Sequence, residues 1–145
     1  MTGPIADRID ITRHVGPLKP HEHDRFSVVE SSESVRARVA CARERQHTRF
    51  AGCGWRLNSQ VPSPSLRDRW PLTPEAQRVL DDALYAGRLS SRGAVRVQRL
   101  AWTVADLASI RAAREVRPGV PELDVAMRLR QGDPLLAKTV ETKAG

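Results

Sequence analysis

The sequence predicts a mainly α-helical fold, four helices preceded by one short strand. Three observations predict it. Apolar residues recur at spacings of three and four in four separate stretches. Ser, Thr or Pro residues suited to helix starts stand at the head of those stretches. One loosely alternating run near the amino terminus is the sole strand-like pattern.

Ile9, Ile11 and Val15, set among Asp10, Thr12 and Arg13, form that run, and Gly16, Pro17 and Pro20 stop it. After a polar loop, Ser31 and Ser32 are caps for a helix over residues 33–49. Val35, Val39, Ala42, Gln46 and Phe50 share one face of it, and Arg36, Arg38, Arg43, Arg45 and Arg49 occupy the others. Residues 51–64 are rich in Gly, Pro, Ser and Asn and read as a loop, followed by a short helical turn over 66–70.

Thr73 as cap, Pro74 at the first helical position and Glu75 against the dipole start the next helix, whose apolar face is Ala76, Val79, Leu80, Ala83 and Leu84. Gly87 ends it. Ser90 caps the strongest helix, with a stripe of Val97, Leu100, Ala101, Val104, Leu107 and Ala108. Pro121 begins a last helix with Val125, Ala126 and Leu129 inward, and from Gly132 onward a disordered tail is expected.

Composition narrows the function classes. No apolar run approaches the roughly 20 residues of a membrane span, and residues 1–10 lack the pattern of a signal peptide, so a cytoplasmic protein with no membrane partner is expected. Cys41 and Cys53 read as reduced structural thiols. The net charge is +7, and only Lys19, Lys138 and Lys143 of the 24 basic residues are lysine. Arginine suits bidentate phosphate contacts, although a GC-rich genome would produce the same bias.

At about 100° per residue, Arg92, Arg96 and Arg99 project within roughly 60° of one another beside the apolar stripe. On spacing alone this is a solvated helix face or a phosphate or nucleic-acid contact. Arg92 stands apart because it lies in the first turn after the Ser90 cap, where free N–H groups and the dipole favour anions. Arg8, just before the strand, is a surface arginine or one able to reach across an oligomer interface. His21, Glu22 and His23 match no common zinc spacing, so no metal site is expected, and no Ser, His, Asp constellation or GxGxxG can be assembled.

Several stretches together resemble the magnesium-chelatase-like AAA+ ATPases, the ComM-like group. Gly3-Pro4-Ile5-Ala6-Asp7-Arg8-Ile9-Asp10-Ile11 is similar to the family's GPLLDRIDI segment. Glu30-Ser31-Ser32 with Val35-Arg36-Ala37-Arg38-Val39 and Ala42-Arg43-Glu44-Arg45-Gln46 resembles its ESSxxVRxRVxxARERQ helix, and Arg56-Leu57-Asn58 its RxN turn. Leu89-Ser90-Ser91-Arg92-Gly93 with Arg96, Arg99 and Thr103-Val104-Ala105-Asp106-Leu107 resembles its LSARAxxRxLRVARTIADL helix. Ala6 and Trp102 depart from the pattern, the latter standing where many relatives have arginine.

The resemblance implies a remnant of an AAA+ core at residues 1–31, a helical carboxy-terminal lid at 32–131 and the tail at 132–145. It assigns Arg8 as the catalytic arginine finger acting in trans and Arg92 as the ATP-binding sensor-2 arginine. ATP and magnesium are the cofactors it implies for the complete ATPase, with the AAA+ core, neighbouring subunits of a ring (a hexamer) and DNA as partners. The GxxxxGK[ST] loop that cradles phosphates is missing from these 145 residues, so the chain is expected to be an expression fragment or truncated gene product, to bind no nucleotide tightly and to hydrolyse none by itself. The strand, parted from its parent sheet, is expected to leave residues 1–14 poorly anchored. The rival expectations are a stand-alone basic helical module that binds nucleic acid through the arginines of 33–49, and a non-functional remnant.

Overall fold

The computed structural model describes residues 8–16 and 30–134. Among them it is mainly helical, with α1 (Ser32–Arg49), α2 (Ser63–Asp68), α3 (Pro74–Tyr85), α4 (Ser91–Ala112) and α5 (Val120–Gln131), and a 3-10 turn at Asn58–Gln60 between α1 and α2. No helix of these residues is long and apolar enough to cross a membrane. The Gly3–Asp7 part of the first motif, the histidines His21 and His23, and the tail beyond Pro134 lie outside the described residues.

Three helix starts follow from local chemistry. The side-chain oxygens of Ser31, Thr73 and Ser90 accept from the backbone N–H groups of Ser34 (3.1 Å), Ala76 (3.4 Å) and Gly93 (3.0 Å), donors that a helix leaves unpaired in its first turn. Gly87 and Gly132 follow α3 and α5 with φ of 67° and 80°, in the left-handed region that glycine adopts without a steric cost.

Helix α4 is the spine, packed against α5 and α3 on one side and against α1 and the 58–60 turn on the other. Two apolar clusters result. The larger joins Leu72, Ala76, Leu80 and Ala83 of α3 and its lead-in to Ala94, Val97 and Ala101 of α4 and Leu123 and Ala126 of α5. The smaller gathers Phe50, Val61, Leu66 and Trp102, with Trp55 and Trp70 half-buried at its edge.

Between α1 and α4 lies a polar core. Arg49 forms a two-pronged ion pair with Asp106, whose side chain is 0% exposed, and its Nη1 also donates to Asn58 Oδ1 at 3.1 Å. Asn58 donates in turn to Asp106 (2.9 Å) and Thr103 (3.1 Å), and its backbone N–H is accepted by Gln46 at 3.1 Å. The Arg49 guanidinium lies 4.3 Å from the centre of the Trp102 ring, a cation–π contact. The buried charge is therefore both paired and hydrogen-bonded, as burial requires.

Four sequence expectations are corrected. Residues 9–15 form no strand; instead the Thr12 N–H donates to the Leu129 carbonyl at 2.8 Å, one of the carbonyls that the last turn of α5 leaves unpaired. The described part of the amino-terminal segment is thus seated on α5 rather than unanchored. The fully buried face of α4 runs through Ala94, Val97, Gln98, Ala101, Trp102, Ala105, Asp106 and Ser109; of the expected stripe, Val97 and Ala101 are core and Leu100 packs against it, while Val104, Leu107 and Ala108 are only partly buried. Apolar spacing misplaced it because Gln98, Asp106 and Ser109 are buried polar residues whose hydrogen bonds are met inside the fold. On α1, Val35 and Val39 are exposed, because burial along that helix begins at Ala42.

Candidate phosphate-binding site

The amino terminus of α4 is built to be electropositive. Its first turn contains no acidic residue, so the positive end of the helix dipole is uncompensated. Ser90 takes up the Gly93 N–H, and Gly93 keeps the neighbouring space open. A Cβ there would sit 3.2 Å from the Ser90 hydroxyl, a tight contact, and Nε of Arg130, at 3.7 Å from the same point, brings the end of α5 beside the start of α4. Arg130 was missed by sequence reasoning, because its place in the last turn of another helix gives no sign of where that helix ends in space.

The three arginines of the ridge have different surroundings. Arg92 is exposed and makes no hydrogen bond or ion pair to another described residue. Arg96, one turn later and 23% exposed, is ion-paired to Asp10. Arg99 is turned into the fold, where its Nε and Nη2 donate to the Val61 carbonyl at 3.0 and 2.6 Å. Burial is the main cause that pushes the Arg99 guanidinium below its ordinary pKa; the nearby charge of Arg96 adds to this, and Asp10 opposes it. Arg92 is the ridge arginine placed to meet an anion from solvent, and Arg99 holds the loop that precedes α2.

Arg8 is exposed, without a hydrogen bond or ion pair to another described residue. Two residues on, Asp10 reaches Arg96, so the segment that carries Arg8 and the start of α4 meet at one end of the molecule. No group of three or more His, Cys, Asp or Glu residues suited to a metal lies among the described residues, and Cys41 and Cys53 are free thiols. A concavity of about 490 Å³ opens between α1 and the end of α4, lined by Cys41, Glu44, Arg45, Thr48, Arg49, Ile110 and Glu115. It lies by the carboxy-terminal end of α4, whereas the arginine ridge begins at the amino-terminal end.

The described residues form a mainly helical domain built around α4, consistent with a helical carboxy-terminal lid. Residues 29–130, which span α1 to α5, match the family described as magnesium chelatase, subunit ChlI C-terminal, and the chain belongs to that family. It is similar to protein Rv2897c of Mycobacterium tuberculosis (strain ATCC 25618 / H37Rv), 37% identical over 133 residues that make up 90% of this chain and 25% of that protein. It is also similar to protein YifB of Escherichia coli (strain K12), 36% identical over 109 residues, 74% of this chain and 21% of YifB. The chain thus spans a quarter or less of the length of these relatives. No solved structure matches it.

Proposed function

We propose that this chain is the nucleotide-sensing lid of a magnesium-chelatase-like AAA+ ATPase, working in a ring, a hexamer, that acts on DNA in the ComM-like manner. The observation that carries the reading is Arg92: an exposed, unpaired guanidinium in the acid-free first turn of α4, where backbone donors, dipole and side chain can meet one phosphate together. In this reading Arg92 contacts the phosphates of ATP bound by its own subunit, with Arg96 beside it. Arg8 reaches ATP held by the neighbouring subunit and stabilises charge on the transferring phosphoryl group. ATP and magnesium are held mainly by a core that supplies the phosphate-cradling loop.

By itself the chain is then a responder rather than a catalyst, since positioning and charge neutralisation of the phosphates come from that core. The test is a pull-down of the core region of a full-length relative by this chain, with and without ATP, alongside a steady-state ATPase assay of the chain alone. ATP-strengthened capture that Arg92→Ala weakens, with no turnover by the chain, supports the proposal. Turnover by the isolated chain that Arg92→Ala abolishes would overturn it.

A second reading has its own observation. Helix α1 presents Arg36 in its first half and Arg43 in its second half to solvent on a chain of net charge +7. A stand-alone nucleic-acid module would bind DNA with a steep salt dependence that survives Arg92→Ala and disappears with Arg36→Ala and Arg43→Ala together.

A further inference from the structure

Four contacts seat the segment behind Arg8 on the end of the bundle that carries Arg92. The Thr12 N–H donates to Leu129 O at 2.8 Å, Arg13 Nη1 donates to Asp133 O at 3.2 Å, the Arg130 guanidinium donates to Ile9 O, and Arg96 pairs with Asp10. Thr12 also packs over Gly132, where a Cβ would lie 3.2 Å from its methyl group. Three of these contacts involve the last turn of α5 and the residues just after it, and the one from Thr12 satisfies a carbonyl that the helix end leaves open. The fourth differs. It ties the segment directly to α4, one helical turn from Arg92, through a side-chain charge pair.

We propose that Asp10 and Arg96 are positioning residues: their ion pair fixes the Arg8 segment to the sensor helix, so that Arg8 and Arg92 move as one body when the lid moves. The proposal rests on reading Arg8 as the arginine finger and Arg92 as the nucleotide sensor. Its consequence is directional. Nucleotide bound against Arg92 in one subunit sets the position of α4, α4 carries Arg96, and Arg96 carries the segment that offers Arg8 to the next subunit. Occupancy of one site is thereby passed to its neighbour through a side-chain pair separated by 86 residues of sequence. Arg96 would then serve as the joint between the two functional arginines rather than as a third phosphate ligand.

Hydrogen exchange at the Thr12 amide, followed by NMR on this chain, reads the seat directly. Asp10→Asn and Arg96→Gln should each speed that exchange about two- to fivefold, the size expected for loss of a partly exposed pair. The reversed pair, Asp10→Arg with Arg96→Asp, should restore the slow rate. Unchanged exchange in both single variants would overturn the proposal.

The second readout is turnover by a complete ATPase in which this chain follows the leading part of a full-length relative. Arg96→Gln should lower kcat while leaving KM for ATP nearly unchanged, and the reversed pair should recover kcat, a rescue that loss of a phosphate ligand at position 96 would not show. A raised KM without rescue would make Arg96 a phosphate ligand and contradict the joint. If Arg8→Ala leaves kcat unchanged, the finger reading fails, and the exchange experiment still decides whether Asp10 and Arg96 hold the segment.

Discussion

Arg49 and Asp106, 57 residues apart in sequence, close the α1–α4 interface as a buried ion pair in which the carboxylate is fully enclosed and the guanidinium lies against Trp102. Asn58 bridges the same two groups from the loop between α1 and α2. This network joins the arginine-rich first helix to the helix that carries Arg92, so it holds the frame within which the candidate site is set.

Removal of one partner strands the other. Asp106→Ala should destabilise the chain by about 3–5 kcal/mol, because Arg49 and Asn58 would keep buried donors with no acceptor. Urea denaturation checks this. A loss below about 1 kcal/mol would mean that water reaches the Arg49 guanidinium and that the pair does not set the interface.

Apolar burial makes a separate prediction. Leu123 of α5 is 0% exposed within the larger cluster, whereas Leu100 is only partly buried beside it. Leu123→Ala should cost about 2–5 kcal/mol, and Leu100→Ala should cost less, because neighbours and water can relax around a half-exposed site. Equal losses in the two variants would contradict the burial pattern of α4.

These comparisons mark what was legible in the sequence. The caps at Ser31, Thr73 and Ser90 were legible because capping depends on residues within one turn of each other. So was the place of Arg92, which follows from the Ser90 cap alone. Burial along α1 and α4 was not, because it depends on which helix meets which: Val35 and Val39 have helical spacing but reach past their partner. Asp106 and Asn58 stayed hidden because a charge or amide in a sequence reads as solvent-facing until its partners are known, although an aspartate within an apolar stretch of α4 and an asparagine in the Arg56-Leu57-Asn58 turn were the available signals. The different surroundings of Arg92, Arg96 and Arg99 were beyond spacing altogether, since their partners, Asp10 and the Val61 carbonyl, come from distant segments.

Acid should loosen the start of α1. Two hydrogen bonds from Arg38 to Glu30, one of them 2.9 Å, hold the Glu30 carboxyl below its ordinary value of 4.5. A lowered carboxylate pKa stabilises the fold above the unfolded value, and that contribution is lost as pH falls through the folded value. NMR titration should therefore place the Glu30 midpoint below 4.5, and Arg38→Gln should return it toward the ordinary glutamate range. A midpoint unmoved by Arg38→Gln would show that the pair does not form in solution.

The proposed division of labour between Arg92 and Arg8 is tested most directly by mixing subunits of a complete ATPase built from this chain and a relative's core. Arg8→Ala by itself should spare nucleotide binding and lower turnover by about 10³-fold or more, as loss of an arginine finger does. Arg92→Ala by itself should impair hydrolysis and the response of the lid to nucleotide. Mixed rings should recover part of the activity, because a subunit that lacks Arg8 but keeps Arg92 can bind ATP at a site completed by the Arg8 of an Arg92→Ala neighbour. Wild-type turnover for Arg8→Ala, together with no recovery at any mixing ratio, would contradict the assignment of one arginine in cis and one in trans.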